Sequence, residues 1–180
     1  MMKWRKVLLL ITAIVLSFGI VGTEIVSAAT KKVPATIKVP AKYNGAIVKK
    51  TFSNNSQWAQ ASWSQDEHTY YLKPKKARAY ASKIEKGKGA QITEYILGTI
   101  VGARFTAPVA LIGGMALLDS LRRGEIATSI RKQSEKGPVK FTLIKSRYGW
   151  GYSKVTRWDG KTINTSQSKF YKLNGYSFVK

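Results

Sequence analysis

The chain predicts an α+β fold: a signal peptide, then a Gly/Ala-rich helical hairpin packed on a small antiparallel β-meander. Three observations carry this expectation. An uncharged apolar run, Val7 to Thr23, follows Lys3, Arg5 and Lys6. A second apolar stretch, Ile92 to Leu121, is rich in small side chains. From Pro138 onward the hydrophobic period changes to two, the spacing of a half-buried strand.

The first run ends in Val26-Ser27-Ala28-Ala29. A basic start, an apolar centre and small closing residues are the order of a secretory leader, with cleavage expected after Ala28 or Ala29. An uncleaved anchor helix is the other reading, because 17 uncharged residues sit at the spanning minimum. Cleavage removes three basic residues and Glu24, so the mature chain keeps a charge of +20 of the original +22. The chain has no Cys and one His, which excludes disulfides, thiolate metal sites, thiol nucleophiles and histidine dyads. An exported chain without disulfides fits a Gram-positive bacterial secretome.

The charge is unevenly spread. Residues 30–91 carry a net +10, residues 92–137 a net +2 and residues 138–180 a net +8. The expected organisation follows: 1–29 leader, 30–91 basic arm, 92–137 apolar hairpin with a basic tail, 138–180 basic aromatic meander, with 92–180 one folded unit. A positive excess of this size implies an anionic partner.

Within the arm, Ile47–Thr51 and His68–Leu72 read as short strands. Lys75 to Lys86 reads as a helix opened by Pro74 and closed by Gly87 and Gly89. Its apolar side is Ala77, Tyr80, Ala81 and Ile84.

In the apolar middle, Arg104 and Pro108 divide the run into two helices, near 91–103 and from about 107. Gly98, Gly102, Ala110 and Gly114 form a small-residue stripe that lets two helix backbones approach closely. Each Gly costs a helix about 1 kcal/mol relative to Ala, so close packing has to offset it. Beyond Leu118 the second helix turns amphipathic, with Ile126 and Ile130 on its apolar side. Arg122, Arg123, Arg131, Lys132 and Lys136 gather toward its C-terminal half, where cations complement the helix dipole, and Gly137-Pro138 ends it.

In the last segment Val139, Phe141 and Leu143 alternate with Lys140 and Thr142. A turn is expected near Arg147–Gly149, and hairpin turns at Asp159-Gly160 and Asn174-Gly175. Tyr148, Trp150, Tyr152 and Trp158 share parity and hence one face, which serves either as core against the helices or as a stacking platform. Beside them Lys140, Lys145, Arg147, Lys154 and Arg157 complete a candidate anion-binding set.

No catalytic motif emerges. Asp66, Glu67 and His68 are adjacent, and adjacent residues share neither a helix face nor a strand face. Catalytic, cofactor-binding and metal-ligating residues are therefore not expected.

The layout resembles a largely uncharacterised group of small secreted proteins of Gram-positive bacteria. The resemblance rests on Gly98–Gly114, the Arg123–Lys136 helix and Gly149–Gly160. In pairing cationic charge with a glycine zipper, the chain is also similar to bacteriocin-like peptides. The resemblance implies an antimicrobial, membrane-active role. Two functions are expected from the sequence. One is binding to anionic membrane lipids, with the 95–121 hairpin entering the interface. The other is binding to wall polymer, teichoic acid or glycan, with that hairpin as plain core. Nucleic acid is a third partner, on charge alone.

Overall fold

The computed structural model describes residues 33–54, 63–87, 89–104, 122–146 and 151–180. The expected leader with Ala28 and Ala29 lies outside the described residues. So do Ala110, Gly114, Arg147, Tyr148 and Trp150. In chain order the elements are β1 (Thr36–Lys38), β2 (Gly45–Asn54), β3 (Trp63–Leu72), α1 (Pro74–Lys86), α2 (Gly89–Leu97) and β4 (Ile100–Arg104). There follow α3 (Arg123–Glu135), β5 (Val139–Ser146), β6 (Gly151–Arg157), β7 (Thr162–Asn164) and β8 (Tyr171–Val179).

The fold is α+β with an antiparallel sheet of six strands in the order β4-β8-β2-β3-β5-β6, and a second sheet pairing β1 with β7. Residues 33–91 are no separate arm. They supply β2 and β3, the two central strands, so one unit runs from Val33 to Lys180. Alternation explains why: Ala46, Val48 and Tyr71 point to one face, Ile47, Tyr70 and Leu72 to the other, and all six are buried. Strands covered on both faces belong at the centre of a sheet.

The three helices cover one face. Tyr70 and Phe141, opposite each other on β3 and β5, stack with ring centroids 4.4 Å apart. Tyr80 of α1 meets Tyr70 edge-on at 6.3 Å. The buried side of α1 is Ala77, Tyr80, Ala81 and Ile84, the positions its helical spacing selects. Pro74 opens the helix and Gly87 caps it, its N–H bonding the Lys83 carbonyl at 2.8 Å. On the other face, β1 and β7 lie over part of the sheet. Ala46, Val48, Tyr71, Trp158, Ile163 and Leu173 form a smaller core there.

The helical hairpin expected over 91–121 is corrected in its first half. Helix α2 ends at Leu97, and residues 100–104 form edge strand β4 against β8. Two β-branched residues, Ile100 and Val101, are suited to an edge strand, and Thr99 ends the helix by bonding back to the Ile96 carbonyl from both its N–H and its hydroxyl. Gly98 and Gly102 therefore share no helix face. Gly102 has φ +65°, a left-handed conformation at the register shift between Val101 and Arg104.

The second helix is corrected in its continuity. Arg122 has non-helical angles (φ −69°, ψ 82°), so α3 begins at Arg123, and the expected helix start near 107 lies outside the described residues. Its apolar side is Ile126, Ala127 and Ile130, and Lys136 stands at its C-cap just before Gly137-Pro138.

Both expected hairpin turns are also corrected. Asp159-Gly160 leads the chain out of the large sheet, since β7 pairs with β1 and not with β6. Asp159 holds this turn by accepting the N–H of Lys161 at 2.8 Å and of Thr162 at 3.0 Å. Asn174-Gly175 lies inside β8, where the register passes from Lys49↔Gly175 to Lys50↔Leu173 and leaves Asn174 as the extra residue of a bulge. Its amide donates to Thr51 Oγ1 at 2.8 Å.

Gly45 is required by close approach: a Cβ there would stand 1.9 Å from the Tyr71 carbonyl oxygen. Without a side chain, the first residue of β2 can lie this close to the end of β3.

Candidate functional site

Strand pairing places a set of polar and cationic side chains in rows on the sheet face opposite the helices. One row runs Ala46, Tyr71, Lys140, Thr156 across β2, β3, β5 and β6. The next runs Val48, Thr69, Thr142, Lys154. The third runs Lys50, Glu67, Ile144, Tyr152. The half of this face near β6 is open: Tyr152 is 51% exposed and Lys154 is exposed. Lys140 Nζ stands 5.7 Å above the Tyr71 ring. Neither Lys140 nor Lys154 has an ion-pair partner among the described residues, whereas Lys49, Arg122 and Arg131 each do.

At the other end of the third row the polar side chains are tied together by hydrogen bonds. Lys50 is buried and donates from Nζ to Asn164 Oδ1 at 3.0 Å. Burial lowers the Lys50 ammonium from its ordinary value; Glu67 opposes that shift and Lys140 adds to it. The Thr69 hydroxyl donates to Glu67 Oε1 at 3.0 Å and lies 3.2 Å from the Thr142 hydroxyl. The backbone N–H of Asn164 donates to the Tyr71 hydroxyl at 3.3 Å. A cavity of about 250 Å³ opens here, with Lys50 and Glu67 in its wall.

Of the cations expected to bind anions, Lys140 and Lys154 share this face. Several of the others are committed within the fold. Arg123 donates to the Gly87 carbonyl at 2.7 Å, closing the C-terminus of α1. Arg157 donates to the Lys136 carbonyl at 2.8 Å, doing the same for α3. Arg131 grips both carboxylate oxygens of Glu85 and so ties α3 to α1. That pair holds the Glu85 carboxyl below its ordinary value and the Arg131 guanidinium above it. Arg122 pairs with Glu125 at 3.0 Å on the surface. Lys132 is exposed and, with Arg122, borders a groove between α3 and β6. Lys145 lies in β5 at the register position of Asp66 and Gly151.

The aromatic platform is corrected in its described part. Trp158 is 8% exposed and meets Tyr71 edge-on at 5.6 Å, so it is core beneath the small sheet, while Tyr152 faces solvent. Both lie on the sheet face opposite the helices, as their parity implies, and the small sheet covers Trp158 while leaving Tyr152 open.

Sequence reading missed Lys50, Glu67, Thr69 and Asn164. The signal for Lys50 was present: it occupies the inward position of the alternation Ala46, Val48, Lys50, Phe52. The cluster Asp66-Glu67-His68 is split by the strand as its adjacency implies. Asp66 faces Lys49 at 3.4 Å and accepts the Thr51 hydroxyl at 2.8 Å, while Glu67 turns to the opposite face.

Among the described residues no group of three His, Cys, Asp or Glu side chains is placed to hold a metal ion. Among them, too, no helix is long and apolar enough to cross a membrane. Comparison with known proteins finds no matching family model, no matching curated protein and no matching solved structure.

Proposed function

We propose that this protein is an exported, non-enzymatic binder of anionic cell-envelope polymer, holding phosphate-bearing or acidic glycan chains across the open half of its sheet. One observation carries the reading. Lys140 and Lys154 stand on the uncovered face beside exposed Tyr152, with hydroxyls of Thr142 and Thr156 between them and, among the described residues, no carboxylate paired to either. Cations left unpaired on a ridged, hydroxyl-lined strip attract a polyanion and give it hydrogen-bond partners along its length. The leader-like N-terminus supports export, and the +20 of the remaining chain supports an acidic surface as target.

This reading is favoured over opening of the 95–121 segment into lipid. Ile96 is fully buried in the main core, and β4 is paired to β8, so opening would break both. Purified bacterial walls, before and after removal of their anionic polymer, give the test. Sedimentation of the protein with intact walls and its loss on stripped walls are expected. Equal binding to both, or binding only to anionic vesicles, overturns the reading.

A further inference from the structure

The open strip of cations explains attraction but gives no account of the cavity at its end. We propose that this cavity is a subsite for one hydroxyl-bearing unit, a sugar or a polyol, of the bound polymer. The inference rests on the reading above that this face holds such a polymer.

Lys50 from β2, Glu67 from β3, Tyr171 from β8 and the loop after β7 line the cavity. At about 250 Å³ it is smaller than pockets for drug-sized ligands and suits a single ring or short polyol. The loop is held in shape before any ligand arrives. Asn164 Oδ1 accepts Lys50 Nζ at 3.0 Å and the Ser166 N–H at 2.9 Å, leaving its amide NH2 as a further donor. Gln167 Oε1 accepts the Leu173 N–H at 3.2 Å, and Ser168 Oγ accepts the Tyr171 N–H at 3.1 Å. A preformed site loses little freedom on binding.

The mixture of groups selects the ligand. A bare phosphate would be drawn by Lys50 and repelled by Glu67, which lines the same space. A hydroxyl satisfies both, since it donates to the carboxylate and accepts from the ammonium. Burial supports the same choice. Lys50 is 8% exposed and its charge is disfavoured there, so the site is poorly suited to act by charge alone. Tyr171 and Phe52, with ring centroids 4.9 Å apart, add aromatic surface at this end of the face. From the cavity, the row Glu67, Ile144, Tyr152 leads to the open strip, so phosphates of neighbouring units fall toward Lys140 and Lys154.

The test compares a synthetic glycerol-phosphate hexamer with inorganic polyphosphate of the same phosphate number, by calorimetry. Wild type is expected to bind the hexamer at least fivefold more tightly. Lys50→Met and Gln167→Ala, each checked for fold by circular dichroism, should abolish that preference and leave polyphosphate affinity within twofold. Equal affinities in wild type, or a preference that both variants retain, overturn the subsite. Binding to neither polymer overturns the polymer reading instead. The subsite is then decided by amide chemical shifts with glycerol 3-phosphate: shifts at Asn164 and Gln167 sustain it, and their absence removes it.

Discussion

The hydroxyl of Tyr80 lies 2.8 Å from that of Thr99, joining α1 to the turn that converts α2 into β4. The direction of the bond follows from its surroundings. Thr99 donates its own proton to the Ile96 carbonyl at 2.8 Å, so Tyr80 is the donor to Thr99. The Thr99 carbonyl in turn accepts the N–H of Lys180 at 2.8 Å, which ties the last residue of the chain to the same turn. Tyr80→Phe leaves one buried acceptor short of a partner and should cost about 1–2 kcal/mol. Thr99→Val strands the Tyr80 donor and removes a bond to the Ile96 carbonyl, so its cost should be larger, about 2–3 kcal/mol. Urea denaturation of the two variants checks the order.

The same substitution at Tyr70 has the opposite expectation. Tyr70 is fully buried, and its hydroxyl has no hydrogen-bond partner among the described residues. Its ring does the packing, stacked on Phe141 and edge-on to Tyr80. Tyr70→Phe keeps both ring contacts and removes an unpaired polar atom from the core. Stability should be unchanged or rise by up to about 1 kcal/mol. A loss above that size would show that the hydroxyl has an important partner in the folded protein.

What could be read from the sequence divides by range. Helix α1 was legible to its capping glycine, because Pro74, Gly87 and four apolar residues at helical spacing are local signals. So was the inward set Val139, Phe141 and Leu143, which is fully buried. The residues from 98 to 104 misled because Gly98 and Gly102 match a helix-packing spacing equally well when the chain between them turns and extends. Local pattern gives no account of which distant strand is waiting, and β4 exists through its pairing with β8, some 75 residues onward. The candidate site was half legible for the same reason. Lys140 and Lys154 come from a hairpin close in sequence, but Lys50 meets Asn164 across 114 residues. Several exposed-looking arginines were read as binding residues because a sequence does not reveal helix-end carbonyls that need donors, as Arg123 and Arg157 supply.

The tyrosines make stability depend on alkaline pH. Burial raises the Tyr70 hydroxyl well above its ordinary value of 10.0, with Tyr80 adding to the shift. Burial raises Tyr80 too, and raises Tyr71 and Tyr95. The folded chain therefore holds these protons more tightly than the unfolded chain. Their contribution is fully present below pH 10 and is lost as pH rises beyond it, because the unfolded chain ionises first. Each fully buried tyrosine adds up to about 1.4 kcal/mol of loss per pH unit. Lys50 and Lys76, both lowered by burial, act in the opposite sense below 10.5. With the larger shifts on the tyrosines, the net expectation is a steep fall in stability above pH 10. Tyr70→Phe should make that fall shallower, as measured by thermal melts from pH 8 to 11. An unchanged slope would overturn the assignment.

The arginines at helix ends and the lysines on the open strip should separate cleanly by function. Arg123→Ala deprives the Gly87 carbonyl of its donor and should lower stability by about 1–2 kcal/mol while leaving affinity for anionic polymer within twofold. Lys140→Gln with Lys154→Gln should do the reverse. The strip loses two phosphate contacts but little packing, because Lys154 is exposed and Lys140 half-buried. Each lost contact releases about one fewer counterion, so the slope of log affinity against log salt should fall by about 2. At low salt the double variant then binds polyphosphate more weakly than wild type, and the two converge as salt rises. Titrations at four salt concentrations measure this directly. Parallel salt slopes for the double variant and wild type would place the binding surface elsewhere, with the exposed Lys132 beside Arg122 in the groove between α3 and β6 as the next cations to remove.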